Sequence, residues 1–265
     1  MLSRRAIGQG PEVRVRRRGV NWHLDLNEGI DLAIYALGGF ELRTLRMYRS
    51  LIRRGDNVLD VGAYVGAHTL PLAQLVGPNG RVIAFEPTRF AFDKLRQNLM
   101  LNPELATRVT TQQIALMESA ASTMPDCIYS SWPLDVQESL HEIHGGQLRD
   151  TNNAVVSTLD QAVESLGLAR VDFVKLDVDG FEPQVLAGAV CTLRRFRPTI
   201  LMEWAPYLFE GCESLLDPAL DALRRLGYRA RVAGSRAVGE VPRNRGDLFV
   251  PMGRGASINL LLEPS

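Results

Sequence analysis

The chain has 265 residues, 46% of them hydrophobic, and a formal net charge of zero. That length holds one large domain, or one domain with extensions, and can bury a substantial core. Neutrality argues against a general nucleic-acid binder, and the apolar runs are too short to span a bilayer. Three scattered cysteines, Cys127, Cys191 and Cys212, lack any C-x-x-C spacing, which fits a reducing compartment and no zinc site. The N-terminal arginines are not followed by an apolar stretch of the secretory kind, so a cytoplasmic location is the default. Only Lys94 and Lys175 are lysines, against 28 arginines. Each lysine therefore draws interest, because lysine can give up its proton and arginine cannot.

Residues 1–20 are polar and rich in arginine, with Arg4, Arg5, Arg14, Arg16, Arg17 and Arg18. A short strand is expected at residues 13–17. The segment reads either as a solvated arm or as a contact for an anion or a membrane. Residues 22–54 read as an N-terminal cap, with strand-like alternation at Leu24 and Leu26 and helical pieces at 30–37 and 42–52, split by Gly38 and Gly39. Such a cap can cover the open end of a sheet, with Tyr35, Phe40 and Glu41 toward a ligand. The aromatic side chains serve equally well as core.

The most informative stretch is Asn57-Val58-Leu59-Asp60-Val61-Gly62-Ala63-Tyr64-Val65-Gly66-Ala67-His68-Thr69. An apolar run ends in a glycine-bearing turn that opens a helix over residues 67–76. Strand, tight turn and helix is the nucleotide-binding opening of a doubly wound α/β fold. Gly62 allows a sharp turn and close approach of a ligand, and Gly66 allows close helix–strand contact. Asp60 and bulky Tyr64 fit poorly with the G-x-G-x-x-G fingerprint that seats a pyrophosphate. A carboxylate suits a cationic, phosphate-free cofactor instead, and S-adenosylmethionine carries a sulfonium and an ammonium. A nicotinamide-dependent oxidoreductase is the alternative enzyme, and a non-catalytic cofactor-binding module is the alternative of another class.

A second buried strand, residues 81–85, ends at Glu86-Pro87. An acidic residue about 20 positions after the glycine loop, at the end of the second strand, hydrogen-bonds ribose hydroxyls in such folds. Residues 89–101 read as a helix whose Phe92, Leu95 and Leu99 face the core, and residues 108–116 as a third strand that brings Ala115 near an adenine. Residues 118–157 are the least patterned and read as an insertion over the substrate or a pair of short strands; they hold Trp132, His141 and His144. His141-Glu142-Ile143-His144 is not H-E-x-x-H, and no other ligand run supports a metal there.

Residues 171–180 form the second informative stretch. Alternation puts Phe173, Lys175, Asp177 and Asp179 on one face and Val174, Leu176 and Val178 on the other. Charges on a parallel strand buried on both faces demand partners or a ligand. Asp179 also reads as the N-cap of a helix running to Arg194, with Glu182 completing a capping box. A fifth strand runs from Thr199 to Met202 and ends at Glu203. A helix over residues 217–226 and strands at 228–232, 237–241 and 258–262 close the sheet with an antiparallel hairpin.

Together these residues resemble the FkbM family of S-adenosylmethionine-dependent methyltransferases. The resemblance runs from Trp22-His23-Leu24-Asp25-Leu26 and Gly39-Phe40-Glu41 through the two informative stretches, Ala84-Phe85-Glu86-Pro87 and Val185-Leu186-Ala187-Gly188-Ala189 to Glu203. The chain departs from the family at Tyr64, where asparagine is usual, and at Asp179, where glutamate is usual. The resemblance implies a Rossmann-like class I methyltransferase sheet of about seven strands, mostly parallel, with the last antiparallel. It divides the chain into an arm and cap, residues 1–54, and a catalytic domain, residues 55–265. It implies methyl transfer to a hydroxyl of a small molecule, sugar or glycan. Nothing in it calls for a nucleic-acid partner, and it leaves the oligomeric state open. Asp60, Gly62, Ala63, Tyr64, Gly66, Thr69, Glu86, Pro87, Ala115 and Asp179 are the expected cofactor residues. Asp177, Lys175 and Glu203 are the expected catalytic residues, with His68 a second candidate base. Tyr35, Phe40, Glu41, His68 and Trp132 are expected toward the acceptor. Asp177, Asp179 and Glu203 could together hold a divalent cation through oxygen ligands.

Overall fold

The computed structural model of the chain describes residues 11–130, 132–134, 146–152, 154–247 and 256–265. His141 and His144 lie outside the described residues.

The N-terminal segment folds as expected. Strands β1 (Glu12–Arg17) and β2 (Val20–Asp25) make an antiparallel hairpin that buries Val13, Trp22 and Leu24. Helices α1 (Gly29–Leu37) and α2 (Leu42–Leu51) follow, split at Gly38, which ends α1 in the left-handed region. The core unit then begins with β3 (Asn57–Val61), α3 (Thr69–Val76), β4 (Arg81–Phe85), α4 (Arg89–Met100), the short α5 (Pro103–Ala106) and β5 (Val109–Gln112). The expected third strand breaks at Gln113. Its second half, β6 (Ile114–Leu116), leaves the main sheet and pairs instead with β9 (Val155–Ser157). Between them β7 (Cys127–Tyr129) and β8 (Leu148–Asp150) form a small antiparallel pair.

Helix α6 (Leu159–Ser165) opens on a capping box built by Thr158 and Gln161. Next come β10 (Phe173–Leu176), α7 (Glu182–Ala187), α8 (Val190–Phe196), β11 (Thr199–Trp204), α9 (Glu213–Arg225), β12 (Tyr228–Val232), β13 (Gly239–Glu240) and β14 (Ile258–Pro264). The expected helix through Arg194 is two helices. The chain bends at Gly188, where a Cβ would lie 2.2 Å from the Met117 carbonyl oxygen. Helix α9 starts four residues before its predicted position and tolerates Pro218 in its first turns.

The main sheet has the order β13-β12-β14-β11-β10-β3-β4-β5. β14 lies antiparallel between β11 and β12, and the two-residue β13 is an antiparallel edge. The remaining strands are parallel. Parallel strands must be covered on both faces, and alternation supplies that cover. Leu59, Ile83, Val174 and Ile200 pack into one apolar layer. Val58, Val82, Phe173 and Leu201 pack into the other, with the cap. Asp60 and Lys175 are register partners across β3 and β10 and fall on the cap-side face.

Candidate active site

Strand ends converge where β3 and β10 meet, with β4 and β11 outside them, and the cap lies over that edge. A cavity of about 360 Å³ opens there. Its apolar end is walled by Ile114, Ala115, Leu116, Met117, Met124 and Ile128, and its opposite end by Glu41, His68, Lys175, Asp177 and Glu203. Gly62, Ala63, Tyr64, Glu86 and Pro87 form the middle.

The middle is built by the turn after β3. The Gly62 and Ala63 amides donate to the Phe85 carbonyl at 3.0 and 2.9 Å, which locks the turn to the end of β4. Gly62 has φ of 84°, and a Cβ there would lie 1.8 Å from the Asp177 carbonyl oxygen. Only glycine satisfies both constraints. Glu86 is buried. Its Oε2 accepts the Tyr64 amide at 2.9 Å and its Oε1 accepts the Thr88 amide and hydroxyl. Burial raises its pKa against those hydrogen bonds. Oε2 has one lone pair to spare for a hydroxyl donor from the cavity, whereas Thr88 occupies both lone pairs of Oε1.

Three non-glycine residues of the cavity wall, Glu41, Tyr64 and Asp179, have left-handed backbones with φ of 47°, 48° and 51°. Such strain concentrates at functional sites. Packing holds Tyr64 in place. Its ring meets Trp132 edge-on at 5.9 Å and its hydroxyl donates to Glu28 Oε2 at 3.3 Å. Glu28 also accepts from Arg149 at 3.0 Å, and the Arg149 guanidinium lies 3.8 Å from the centre of the Phe90 ring. The backbone closes the same seam, since the Gly29 amide donates to Trp132 O and the Leu134 amide to Asn27 O. The cap and residues 132–134 are thereby stitched together over the cavity.

The charged end turns on Lys175, which is 3% exposed. Its Nζ donates to Asp177 Oδ2 at 2.9 Å. Burial opposes the Lys175 charge, but Asp177 and Asp60 outweigh it and the ammonium pKa is raised. Burial likewise opposes the Asp177 charge, and Lys175 overcomes it, so Asp177 is held below the ordinary carboxylate range. The other acids pay for this ion pair. Burial and then the Asp177 charge raise Glu41 and Asp179, and push Glu203 up to about 9.

His68 is 4% exposed. Its Nδ1 lies 2.9 Å from the hydroxyl of fully buried Tyr48. Which of the two donates in that hydrogen bond is set by the imidazole tautomer. Nε2 points toward Glu41 Oε2 at 3.9 Å. Burial lowers the His68 pKa well below its ordinary value. His68 is therefore a neutral imidazole at the cavity wall.

A model of the FkbM methyltransferase domain matches residues 60–230. The chain belongs to the FkbM methyltransferase family. Among its curated relatives, methyltransferase sdnD of Sordaria araneosa is 27% identical over 156 residues, covering 49% of this chain and 59% of that protein. The 31-O-demethyl-FK506 methyltransferase FkbM of Streptomyces tacrolimicus is 32% identical over 161 residues, covering 52% and 60%. The chain spans about three-fifths of the length of these relatives. The crystal structure of an FkbM methyltransferase from Methylobacillus flagellatus shares the fold, with a TM-score of 0.51 and 18% identity over 84% of this chain and 48% of that one.

Phe40, Glu41, Gly62, Ala63, Tyr64, His68, Glu86, Pro87, Ala115 and Trp132 line the cavity, as do Lys175, Asp177, Asp179 and Glu203. Asp60, Gly66, Thr69 and Tyr35 stand behind the wall. Asp60 is fully buried, accepts the Thr69 hydroxyl at 2.6 Å, and balances Lys175 through the sheet rather than touching the cavity. Gly66 serves packing, since a Cβ there would lie 2.9 Å from a Leu95 methyl. Tyr35 is turned outward under the Arg17 guanidinium, 5.1 Å from its ring centre. Asp179 is not the helix N-cap; Phe181 occupies that position. Glu182 folds back instead, accepting the Val178 amide at 2.8 Å and the Gly180 amide at 3.0 Å.

That use of Glu182 bears on the metal expectation. Oxygens of Asp177, Glu182 and Glu203 come within 4.8 Å of one another, while Asp179 stands outside the group. Both Glu182 oxygens hold backbone amides and Asp177 already faces an ammonium. The donor set does not fit a divalent cation, which needs several uncommitted oxygens. Reasoning from sequence missed Tyr48, Glu28 and Arg149, which act through distant partners. It also missed Met117, Met124 and Ile128, which carry no polar signal.

Proposed function

We propose that the chain binds S-adenosylmethionine in this cavity and methylates a hydroxyl of a small-molecule, sugar or glycan acceptor. One observation carries the reading: a single cavity joins a buried acid at the end of β4, an apolar slot beside β6, and the Lys175–Asp177 pair at the end of β10. The relatives' names point the same way. One is a 31-O-demethyl-FK506 methyltransferase, and another, AglP of Haloferax volcanii, is a hexuronic acid methyltransferase.

The residues present fit the cofactor. Glu86 would meet the ribose, Ala115 and its apolar neighbours the adenine, and the Gly62–Tyr64 backbone the amino-acid end. When bound, the cofactor supplies an electrophilic methyl group carried on a positively charged sulfur. Asp177 would take the acceptor's hydroxyl proton as the carbon–oxygen bond forms and the methyl's bond to sulfur breaks, leaving a neutral thioether. The protonated ether is a strong acid, so a carboxylate of depressed basicity suffices. Lys175 keeps Asp177 ionised and aimed. General-base catalysis of this kind contributes about 10²–10⁴-fold, and holding the two reactants in line contributes several kcal/mol more.

Calorimetry with S-adenosylmethionine, S-adenosylhomocysteine and NAD tests the cofactor assignment, and labelled methyl transfer to a panel of hydroxylated acceptors tests the reaction. Heat with NAD and none with the sulfonium donor would refute it. Asp177→Asn should cut transfer by at least about 100-fold while leaving cofactor affinity within about twofold. Full transfer by that variant would remove Asp177 from the chemistry.

A further inference from the structure

The chain is neutral overall, yet its charge is not evenly spread. Between Val13 and Asn57 every exposed ionisable side chain is an arginine: Arg14, Arg16, Arg18, Arg43, Arg46, Arg49, Arg53 and Arg54. The acids of the same stretch are all buried or half-buried: Asp25, Glu28, Asp31, Glu41 and Asp56. None of those eight arginines has an ion-pair partner among the described residues.

Helix α2 concentrates this charge. Its buried side carries Thr44 and Tyr48, Arg43, Arg46 and Arg49 follow at three-residue spacing on its exposed side, and Arg53 lies two residues past its end. The arrangement works against the helix. Like charges three residues apart repel, as Arg43, Arg46 and Arg49 do, and the only acid at the start of the helix among the described residues is Glu41 at its N-cap. Arg18, at the tip of the β1–β2 hairpin, joins the patch, because its guanidinium lies beside Gly38 and Gly39 at the entrance to α2. Next to Gly38, at the end of α1, Leu37 is 62% exposed.

We propose that this face of the cap docks on an anionic membrane surface, with Arg18, Arg46, Arg49 and Arg53 against lipid headgroups and Leu37 entering the interface. Charge complementarity selects a polyanion. The apolar content selects among polyanions. Single-stranded nucleic acid is held by exposed aromatic platforms, and no aromatic residue from Val13 to Asn57 is exposed. A protein partner is anchored by a desolvated aromatic or aliphatic cluster, and here a single exposed leucine stands among arginines. Dispersed guanidinium groups with one protruding aliphatic side chain match a charged bilayer, where each basic residue adds independently. The inference rests on the outer face of the cap and not on the chemistry of the cavity.

Co-sedimentation of the full chain with vesicles tests it. Vesicles of phosphatidylcholine with one-third phosphatidylglycerol should bind the protein at low salt and release it as salt rises. Pure phosphatidylcholine vesicles should not bind it. Each headgroup-facing arginine contributes about fivefold to partitioning. The triple variant Arg46→Gln, Arg49→Gln, Arg53→Gln should therefore partition about 100-fold more weakly. Leu37→Asn should weaken binding at high salt more than at low. The control Arg96→Gln, Arg194→Gln, Arg225→Gln removes as much charge elsewhere and should bind as the wild type does. Unchanged melting by circular dichroism and unchanged cofactor heat confirm that the variants are folded. Failure to sediment with anionic vesicles overturns the proposal. So does an equal loss in the control, or tighter binding of a single-stranded RNA or an acidic protein that displaces the vesicles through the same three arginines.

Discussion

Replacing Lys175 by methionine would expose how the charged end of the site is held together. Methionine keeps the unbranched stem and fills the same space on β10, so the substitution removes little besides the ammonium. What it leaves is severe. Asp177 loses a partner at 2.9 Å, and fully buried Asp60, to which Thr69 alone donates among the described residues, loses its compensating charge. Breaking a buried pair from one side costs about 3–5 kcal/mol. For a chain of this length that corresponds to a fall in melting temperature of roughly 6–20 °C. The pH dependence carries a sign. Without the ammonium, both carboxylates have folded-state pKa values above their unfolded values. They can recover by taking up protons, so the variant's deficit must shrink as pH falls through that raised range. Urea denaturation of both proteins at pH 7.5 and pH 5 would measure this. The double variant Lys175→Met, Asp177→Asn should recover part of the loss at pH 7.5. A deficit below about 1 kcal/mol at pH 7.5, the scale of an exposed ion pair, would refute the reasoning. A deficit independent of pH would refute it equally.

Three further outcomes follow from the same geometry. Glu86→Gln keeps one acceptor for the surrounding amides but removes the charge from the acid proposed to meet the ribose, so calorimetry should show cofactor affinity falling about 10–100-fold. Gly62→Ala puts a methyl group into the Asp177 carbonyl at a left-handed backbone position; the loss should exceed about 4 kcal/mol, read as failure to fold or a collapsed melting temperature. Glu203 has a folded pKa raised to about 9 from 4.5, so its contribution to stability falls as pH rises between those values. Glu203→Gln should then flatten the stability profile across that window and be relatively more stable at pH 8, as thermal melts at several pH values would show.

Much of this protein was legible in its amino-acid order because the relevant signals are local. The apolar run into Gly62, the acid closing the second strand and the alternation at Phe173 and Lys175 are short-range patterns with direct backbone consequences. They determined the strand–turn–helix opening, the parallel sheet and the congregation of carboxylates at strand ends. What sequence order could not decide were partnerships between distant segments. Asp60 sits one alternation step from the cavity wall, and only the register of β3 against β10 turned it toward Lys175 and away from a ligand. The β6 strand left the main sheet because Val155 and Val156 offered it a partner some forty residues away. Asp179 has no capping role because the helix starts later, with Phe181 at its N-cap, and Glu182 folds back onto the Val178 and Gly180 amides. His68 found the partner of its Nδ1 in Tyr48, on a helix of the cap. Propensity and periodicity act through the nearest few residues, whereas burial, tautomer and ionisation are set by whichever groups the completed fold brings within a few ångströms.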